Sequence, residues 1–278
     1  MPAADREFVF TRADFERVRA LIHERAGISL TPAKQNMVYS RLSRRLRERG
    51  LSRFDDYLEL LQSDDTQEWE SFVNSLTTNL TSFFRESHHF PLLAQMLKLR
   101  QRGTTAQIWC TAASTGEEPY SLAITACETF GTLAPPVRII ASDIDTQVLE
   151  TADLGIYAEE RWKGLSQEQL KKYFLRGGGA NAGKARVRPE LRALVDFRSI
   201  NLLAGNWRVP KDLAAIFCRN VMIYFDRPTQ LQVVTRFAPL LAADGLLFAG
   251  HSESLAQASH LFRLRGKTVY ELARPAAA

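Results

Sequence analysis

Three short segments carry side chains whose types and spacing could do chemistry. The first is Ala112-Ala113-Ser114-Thr115-Gly116-Glu117-Glu118-Pro119, small residues and one glycine followed by two carboxylates. Small side chains let a ligand approach the backbone, and Gly116 permits an unusual turn. The segment is not GxGxxG, because acids stand where a pyrophosphate would lie. Acids at a helix N-terminus ordinarily do no more than complement its dipole. An anionic rim here would nevertheless repel phosphate and suit a ligand bearing an ammonium or sulfonium group. The second segment is Asp143, which ends an apolar run and could accept both ribose hydroxyls of an adenosine. Turn formation would account for a lone Asp equally well. The third is Arg219-Asn220, after an apolar run through Phe217, with Tyr224 four residues on. Asn220 could hold the amino-acid or adenine part of a ligand. Together the three segments suit S-adenosylmethionine better than NAD or another nucleotide phosphate.

Other constellations lead elsewhere or nowhere. His88-His89 has no acid or cysteine at ligand spacing, so packing or surface placement is expected and no metal. His251-Ser252-Glu253 lies outside any GxSxG elbow, which excludes a hydrolase of that type. The cysteines, Cys110, Cys127 and Cys218, are odd in number, far apart and without CxxC spacing. They form neither a disulfide framework nor a structural zinc site and fit a reducing compartment.

The elements that must position these residues follow from apolar periodicity. Thr11 caps a helix with Phe15, Val18, Leu21 and Ile22 on one face, and Gly27 closes it. Thr31-Pro32 opens a second helix with the stripe Val38, Leu42 and Leu46, stopped at Gly50. Two shorter helices run through Phe54, Tyr57, Leu58 and Leu61, and through Trp69, Phe72, Val73 and Leu76. After Arg85, strands alternate with helices. Strands are expected at 107–110, 137–141, 214–218 and 245–250, and helices through Tyr120 to Phe130, from Thr146, and from Pro228 to Leu241. The segment Phe262 to Leu272 reads as a hairpin turning around Gly266. Alternation of this kind predicts an α/β fold, a doubly wound, mostly parallel sheet with a C-terminal antiparallel hairpin. Residues 161–192, with nine basic residues and two acids around Gly177-Gly178-Gly179, interrupt it. They predict a small inserted antiparallel β-subdomain, whose edge could pair with an extended peptide.

The chain has 278 residues, 45% hydrophobic and 24% charged, with a formal net charge of +5. That is globular composition. No stretch approaches the ~18 apolar residues of a membrane span. The acidic start Asp5-Arg6-Glu7 is not a secretory signal, so a cytoplasmic location is expected. Charge is segregated in the helical part. Residues 34–53 hold seven bases and one acid, and residues 54–72 hold seven acids and no base. Lys34, Arg41, Arg44 and Arg45 share an arc of the second helix. That face either docks an acidic partner or pairs with the acidic helices that follow.

The segment Asn79-Leu80-Thr81-Ser82-Phe83-Phe84-Arg85-Glu86 resembles the signature of the CheR family, the glutamate O-methyltransferases of chemotaxis receptors. So do Ala112 to Tyr120, Ala141-Ser142-Asp143-Ile144-Asp145, Phe217 to Phe225 and Gly250-His251-Ser252-Glu253. The resemblance runs from about residue 10 to residue 272. It implies an N-terminal all-α substrate-docking domain over residues 1–77 and a class I S-adenosylmethionine-dependent methyltransferase domain over 78–278. It also implies the β-subdomain, over 160–200. Matched motif to motif, cofactor contacts fall on Asn79, Thr81, Arg85, Glu117, Asp143, Asn201, Leu202, Arg219 and Asn220, and catalytic roles on Arg85 and Tyr224. The implied products are a glutamyl 5-methyl ester and S-adenosylhomocysteine. The basic helix, with Lys34, Arg41, Arg44, Arg45 and Arg47, is similar to the face that meets the receptor's acidic methylation helices. The Gly-rich loop is similar to that of members that pair the β-subdomain with an aromatic pentapeptide at the receptor C-terminus.

Two assignments compete for Arg85: orienting the substrate glutamate, or holding the carboxylate of the cofactor's methionine moiety. A tight guanidinium clamp on the attacking oxygens would blunt their nucleophilicity, which favours the cofactor or the non-attacking oxygen. Two other functions stay in view. A nucleic-acid methyltransferase is suggested by the pI of about 9.2, but the basic helix offers only Tyr39 for base stacking. A non-catalytic sensor of S-adenosylmethionine would not need both Arg85 and Tyr224.

Overall fold

The computed structural model describes residues 6–63, 66–100 and 104–273. The chain divides into two compact units: residues up to Thr78 with the return segment Tyr224–Asp226, and Asn79–Ile223 with the chain from Arg227 onward.

The first unit is helical: α1 (Arg12–Ala26), α2 (Gln35–Arg49), α3 (Phe54–Gln62) and α4 (Thr66–Leu76). Thr11 and Asp14 form a reciprocal capping box, Asp14 N–H to Thr11 Oγ1 at 3.1 Å and Thr11 N–H to Asp14 Oδ2 at 2.7 Å. Gly27 and Gly50 end α1 and α2 in the left-handed conformation, φ +71° and +65°. Thr31 does not cap α2. Pro32 lacks an N–H, and the Lys34 N–H closes back on the Thr31 carbonyl at 2.9 Å. The result is a 3-10 turn, Pro32–Lys34, ahead of the α-helix. The expected apolar stripes face inward, with Leu21 and Trp69 only half-buried.

The acidic segment supplies this unit with an internal ionic hub. Glu68 on α4 has a side chain 0% exposed. It receives Tyr57 Oη at 2.7 Å, Arg45 at 2.7 and 3.1 Å, and Arg49 at 2.5 Å. A buried carboxylate persists only when so compensated. Arg41 donates to the carbonyls of Ser75 and Thr77. Arg41 and Arg45 are thus spent tying α2 to the chain around α4, whereas Lys34, Arg44 and Arg47 stay exposed. The return segment completes the unit: Ser29 N–H donates to the Tyr224 carbonyl at 2.7 Å, and Ile28 bridges Phe225.

The second unit opens with α5 (His89–Leu99), β1 (Ala106–Cys110), α6 (Glu117–Phe130), β2 (Val137–Asp143) and α7 (Thr146–Leu154). Next come β3 (Ile156–Ala158), α8 (Gln167–Tyr173), β4 (Phe174–Arg176), β5 (Lys184–Val187), α9 (Pro189–Arg192) and β6 (Val195–Ser199). It closes with β7 (Leu213–Cys218), α10 (Arg227–Phe237), β8 (Leu241–Ala249), β9 (Phe262–Gly266) and β10 (Val269–Leu272). Among the described residues the large sheet has the order β6-β2-β1-β7-β8-β10-β9, with β10 antiparallel to both its neighbours. The chain winds outward from β1 through β2 to β6, then crosses to β7. The switch point therefore lies between β1 and β7, where ligands of doubly wound sheets bind. Parallel central strands are covered on both faces, hence the wholly buried β7.

The small sheet is antiparallel, β3-β5-β4. It begins at Ile156, ahead of the expected residue 160. Val195–Ser199, inside the expected 160–200 span, pairs with β2 in the large sheet instead. The terminal hairpin turns at Lys267-Thr268, both with positive φ, one step beyond Gly266. Pro239 ends α10 at Phe237 through a 3-10 turn, and β8 starts directly after it.

The Glu68 hub makes a stability prediction. Burial acts to raise the Glu68 pKa, but bonds from Arg45, Tyr57 and Arg49 outweigh it and hold the carboxyl below the ordinary carboxylate range. Its contribution is therefore present above that range and lost as pH falls through the folded value. Glu68→Ala should cost about 3–5 kcal/mol, read from denaturant unfolding of the full chain at pH 7. A loss below about 1 kcal/mol, the worth of an exposed pair, would refute the hub.

Candidate functional site

The carboxyl ends of β1, β2, β6 and β7 bring one set of polar loops together. Thr111 N–H donates to the Phe217 carbonyl at 2.9 Å and Ala113 N–H to the Ser142 carbonyl at 2.8 Å, so the strand ends are laced before they diverge. The loop after β1 then takes a tight course, Ser114 at φ +48° and Gly116 at φ +95°. A Cβ on Gly116 would lie 2.7 Å from Tyr157 Oη and 2.8 Å from the Ala152 side chain, so only glycine fits.

Asp143, at the end of β2, accepts Ser114 N–H at 2.8 Å and Asp145 N–H at 3.1 Å. Burial pushes its carboxyl up to about 6. Ile200 N–H reaches the Asp143 carbonyl at 3.0 Å, which sets Asn201 and the buried Leu202 beside the same strand end. Asp145 caps α7, and Asn79 Nδ2 donates to its second oxygen at 2.8 Å. Thr81 is half-buried on the same segment as Asn79.

A second cluster gathers around Arg219, whose side chain is 0% exposed. Its guanidinium donates to Glu118 Oε2 at 2.7 Å and to the Arg85 carbonyl at 2.5 Å, and lies 3.5 Å from Glu86 Oε2. Glu118 also accepts the Cys110 thiol at 3.3 Å, and burial raises its pKa. Glu86 accepts from Asn220 Nδ2 at 3.4 Å and lies 3.1 Å from His251 Nδ1. Burial works to raise Glu86 too, but Arg219 and His251 outweigh it and hold its carboxyl down to about 2. Phe84 and Glu86 both adopt positive φ, +52° and +53°, bracketing Arg85. Strain of this kind survives only where the surroundings over-determine it, here the Arg219 contact and Phe84 N–H to Ser121 Oγ at 3.0 Å. Arg85 is itself half-buried and donates to the Leu80 carbonyl at 2.8 Å.

The loop after β7 is fastened by one carboxylate. Glu253 accepts four backbone N–H groups, from Gly250 at 2.5 Å, Asn220 at 2.9 Å, Val221 at 2.9 Å and Met222 at 2.8 Å. Asn220 can thereby hold φ +58°.

The expected cofactor set thus lies in one unit, on loops hydrogen-bonded to one another. Tyr224 belongs to the first unit, its carbonyl fixed by Ser29. The acidic rim needs a correction. Glu117 is paired with Arg161 and Glu118 with Arg219, so neither is simply a dipole partner or an open charge. Of the acids expected to meet the cofactor, Asp143 differs from Glu117 in that its described hydrogen-bond partners are backbone N–H groups. His89 is buried against Phe248, and burial and Arg219 hold its pKa down to about 4, so it is neutral at pH 7. The expectation that no acid stands at ligand spacing from His88-His89 needs a correction: Glu86, His88 and His89 bring ligand-type atoms within 4.8 Å of one another, with the Arg219 guanidinium 3.5 Å from the same Glu86 carboxylate. Sequence reasoning gave no role to Glu86, Arg161 or Glu253, and read Glu118 only as part of an open anionic rim. Glu86, Glu118 and Glu253 stand inside motifs that were recognised. Arg161 has no local signal, because its partner lies forty-four residues away.

The donor set fits S-adenosylmethionine. Asp143 keeps acceptor capacity for ribose hydroxyls, and the Ser114 hydroxyl is buried without a partner beside it. With Glu117 and Glu118 each paired to an arginine, Asp143 is left as the carboxylate that favours hydroxyl donors here and opposes phosphate. Strand order, antiparallel penultimate strand and this site together define a class I S-adenosylmethionine-dependent methyltransferase. A family described as CheR methyltransferase, SAM binding domain, matches residues 79–271, and its companion all-alpha domain matches residues 13–77. The chain belongs to the CheR methyltransferase family. It is 55% identical to a chemotaxis protein methyltransferase of Klebsiella aerogenes, over 94% of this chain and 90% of that one. It is 54% identical to the Escherichia coli K12 protein of the same description, over 94% and 91%. To chemotaxis protein methyltransferase 2 of Pseudomonas aeruginosa it is also 54% identical, over 96% and 95%.

Glu86 generates a prediction. Its carboxyl is held down from 4.5 to about 2, so up to about 3 kcal/mol of stability is present above pH 4.5 and lost as pH falls toward 2. Glu86→Gln should lower the unfolding midpoint at pH 7 and flatten the acid limb of the stability profile. An unchanged acid limb would show that Arg219 does not depend on this carboxylate.

Proposed function

We propose that this chain transfers a methyl group from S-adenosylmethionine to glutamate side chains of bacterial chemoreceptors, forming glutamyl 5-methyl esters in chemotaxis adaptation. The observation that carries the reading is the Arg85 loop, bent into a strained shape by a buried Arg219, in a chain over half identical to chemotaxis protein methyltransferases.

A glutamate carboxylate has a reference pKa near ~4.3 and is already ionised at neutral pH. It needs no strong general base, which agrees with a site built from arginines, amides and fixed acids. When bound, S-adenosylmethionine supplies an electrophilic methyl on a sulfonium; the C–O bond forms as C–S breaks, leaving a neutral ester and S-adenosylhomocysteine. Charge vanishes in that step, so residues that exclude water and fix geometry favour the transition state. Asp143 would accept ribose hydroxyls, with Asn201 and Leu202 alongside. Asn79, Thr81, Glu117, Arg219 and Asn220 would hold the remainder. Arg85 would orient the reacting groups through the methionine carboxylate or the non-attacking glutamate oxygen, and Tyr224 would donate a hydrogen bond to the glutamate.

Lys34, Arg44 and Arg47 are the exposed bases that would meet acidic receptor helices. Arg41 and Arg45 would act by fixing α2, being engaged with Ser75, Thr77 and Glu68. The small sheet has two outer strands, β3 and β4, on which a receptor's C-terminal aromatic pentapeptide could add. The work is expected in the cytoplasm; no described helix is long and apolar enough to cross a membrane.

Incubation with tritiated-methyl cofactor and receptor cytoplasmic fragments tests the reading. Mild base should release volatile methanol from the labelled fragment; label stable to base would identify an amine or amide product and refute the ester. Fragments lacking their last five residues should be labelled more slowly; equal labelling would remove the tether. Arg85→Ala should lose most activity, on the order of 100-fold or more, with an unchanged melting temperature. Turnover at the wild-type rate would remove Arg85 from the site. With Asp143 pushed up to about 6, its carboxylate form prevails above that pH. S-Adenosylhomocysteine affinity should therefore fall on acidification through pH 6, and Asp143→Asn should bind weakly without that dependence.

A further inference from the structure

The inserted segment does more than carry the small sheet. Its first strand and the turn after it grip the loop at the cofactor end of β1. Tyr157 on β3 is buried and donates its hydroxyl to the Thr115 carbonyl at 2.8 Å. Its oxygen stands where a Gly116 side chain would begin, 2.7 Å from that Cβ position. Four residues later Arg161 donates through Nε to Glu117 Oε1 at 2.9 Å and through Nη2 to Thr115 Oγ1 at 2.7 Å, with Nη2 also on Glu117. Thr115 Oγ1 in turn donates to the other Glu117 oxygen at 2.7 Å. Both oxygens of a carboxylate 0% exposed are thus aimed by one guanidinium, directly and through a threonine. The same segment abuts the Arg85 loop, since a Cβ on Gly164 would fall 2.2 Å from the Phe83 carbonyl oxygen. The Phe83 ring packs on Tyr157 and Phe174 at 5.0 and 5.7 Å.

The geometry points to Arg161 as a positioning residue for cofactor binding, acting through Glu117 and Thr115. The inference rests on the reading of Glu117 as a contact of S-adenosylmethionine. It gives the insertion a second task beyond offering an edge to a peptide. A carboxylate without water around it can accept an ammonium only if it is correctly turned, and a planar guanidinium fork fixes its orientation. The fork is available for this because Arg161 is 40% exposed and solvated on its far side.

Calorimetric titration of the full-length protein with S-adenosylhomocysteine tests this without turnover. Arg161→Ala should weaken binding about tenfold or more, the worth of a charge-assisted hydrogen bond, and Arg161→Lys should recover part of it. Because Arg161 acts through Glu117, Arg161→Ala in a Glu117→Gln background should add little further loss. Steady-state rates should show a raised KM for the cofactor with the KM for receptor fragment unchanged. Undiminished affinity in Arg161→Ala would overturn the proposal. So would an equal loss in the Glu117→Gln background, or no recovery with lysine if alanine unfolds the protein. Absence of heat with the wild-type protein would instead refute the methyltransferase reading itself.

Discussion

A single buried guanidinium holds the reactive end of this protein together. Arg219 leaves the C-terminus of β7 with no exposed side-chain surface, binds Glu118 at the start of α6, and reaches the Arg85 carbonyl and Glu86. Three stretches remote in sequence, around residues 85–86, 118 and 219, are thereby fixed to one another within the second unit. Burying a charge is costly, and the cost is met here because two carboxylates and a carbonyl share the guanidinium. Removing any partner would leave a charge stranded in the interior, so the constellation behaves as one unit.

The same logic distributes charge around the ligand position. Glu117 and Glu118 look in sequence like an open anionic rim, yet each is answered by an arginine. Their task is alignment as much as attraction. Asp143 is different, because backbone N–H groups are its described partners and burial raises its affinity for a proton. It is the acid best able to take hydroxyl donors from a ribose. Glu253 shows a third use, tying the loop after β7 through four backbone N–H groups. Four acids thus perform three different tasks, decided by what each meets in space.

That distinction marks the limit of what could be read in the sequence. Apolar periodicity located the helices of the first unit and the central strands, because burial on one face or on both imposes its own spacing. Strand ends carrying Asp143 and Arg219 were legible for the same reason. The edge strand Val195–Ser199 and the short helix Gln167–Tyr173 gave no such signal, being small elements with half-exposed faces. The basic helix was ambiguous in sequence and is divided in fact. Arg45 turns inward because Glu68 lies beneath it, while Arg44 remains 78% exposed. Pairings such as Arg161 with Glu117 or Arg219 with Glu118 depend on strand order and on the insertion, which no local pattern encodes. The strained φ values at Phe84, Glu86 and Asn220 were equally invisible, since none is glycine.

Hydrogen exchange with and without S-adenosylhomocysteine bears most directly on the central claim that these strand-end loops form one cofactor site fastened by Arg219. Saturating ligand should slow exchange together in residues 79–86, 113–118, 143–146, 201–203 and 219–222, and the protection should be lost as a block in Arg219→Lys. Protection confined to other surfaces, or loops that respond independently of one another, would contradict the account.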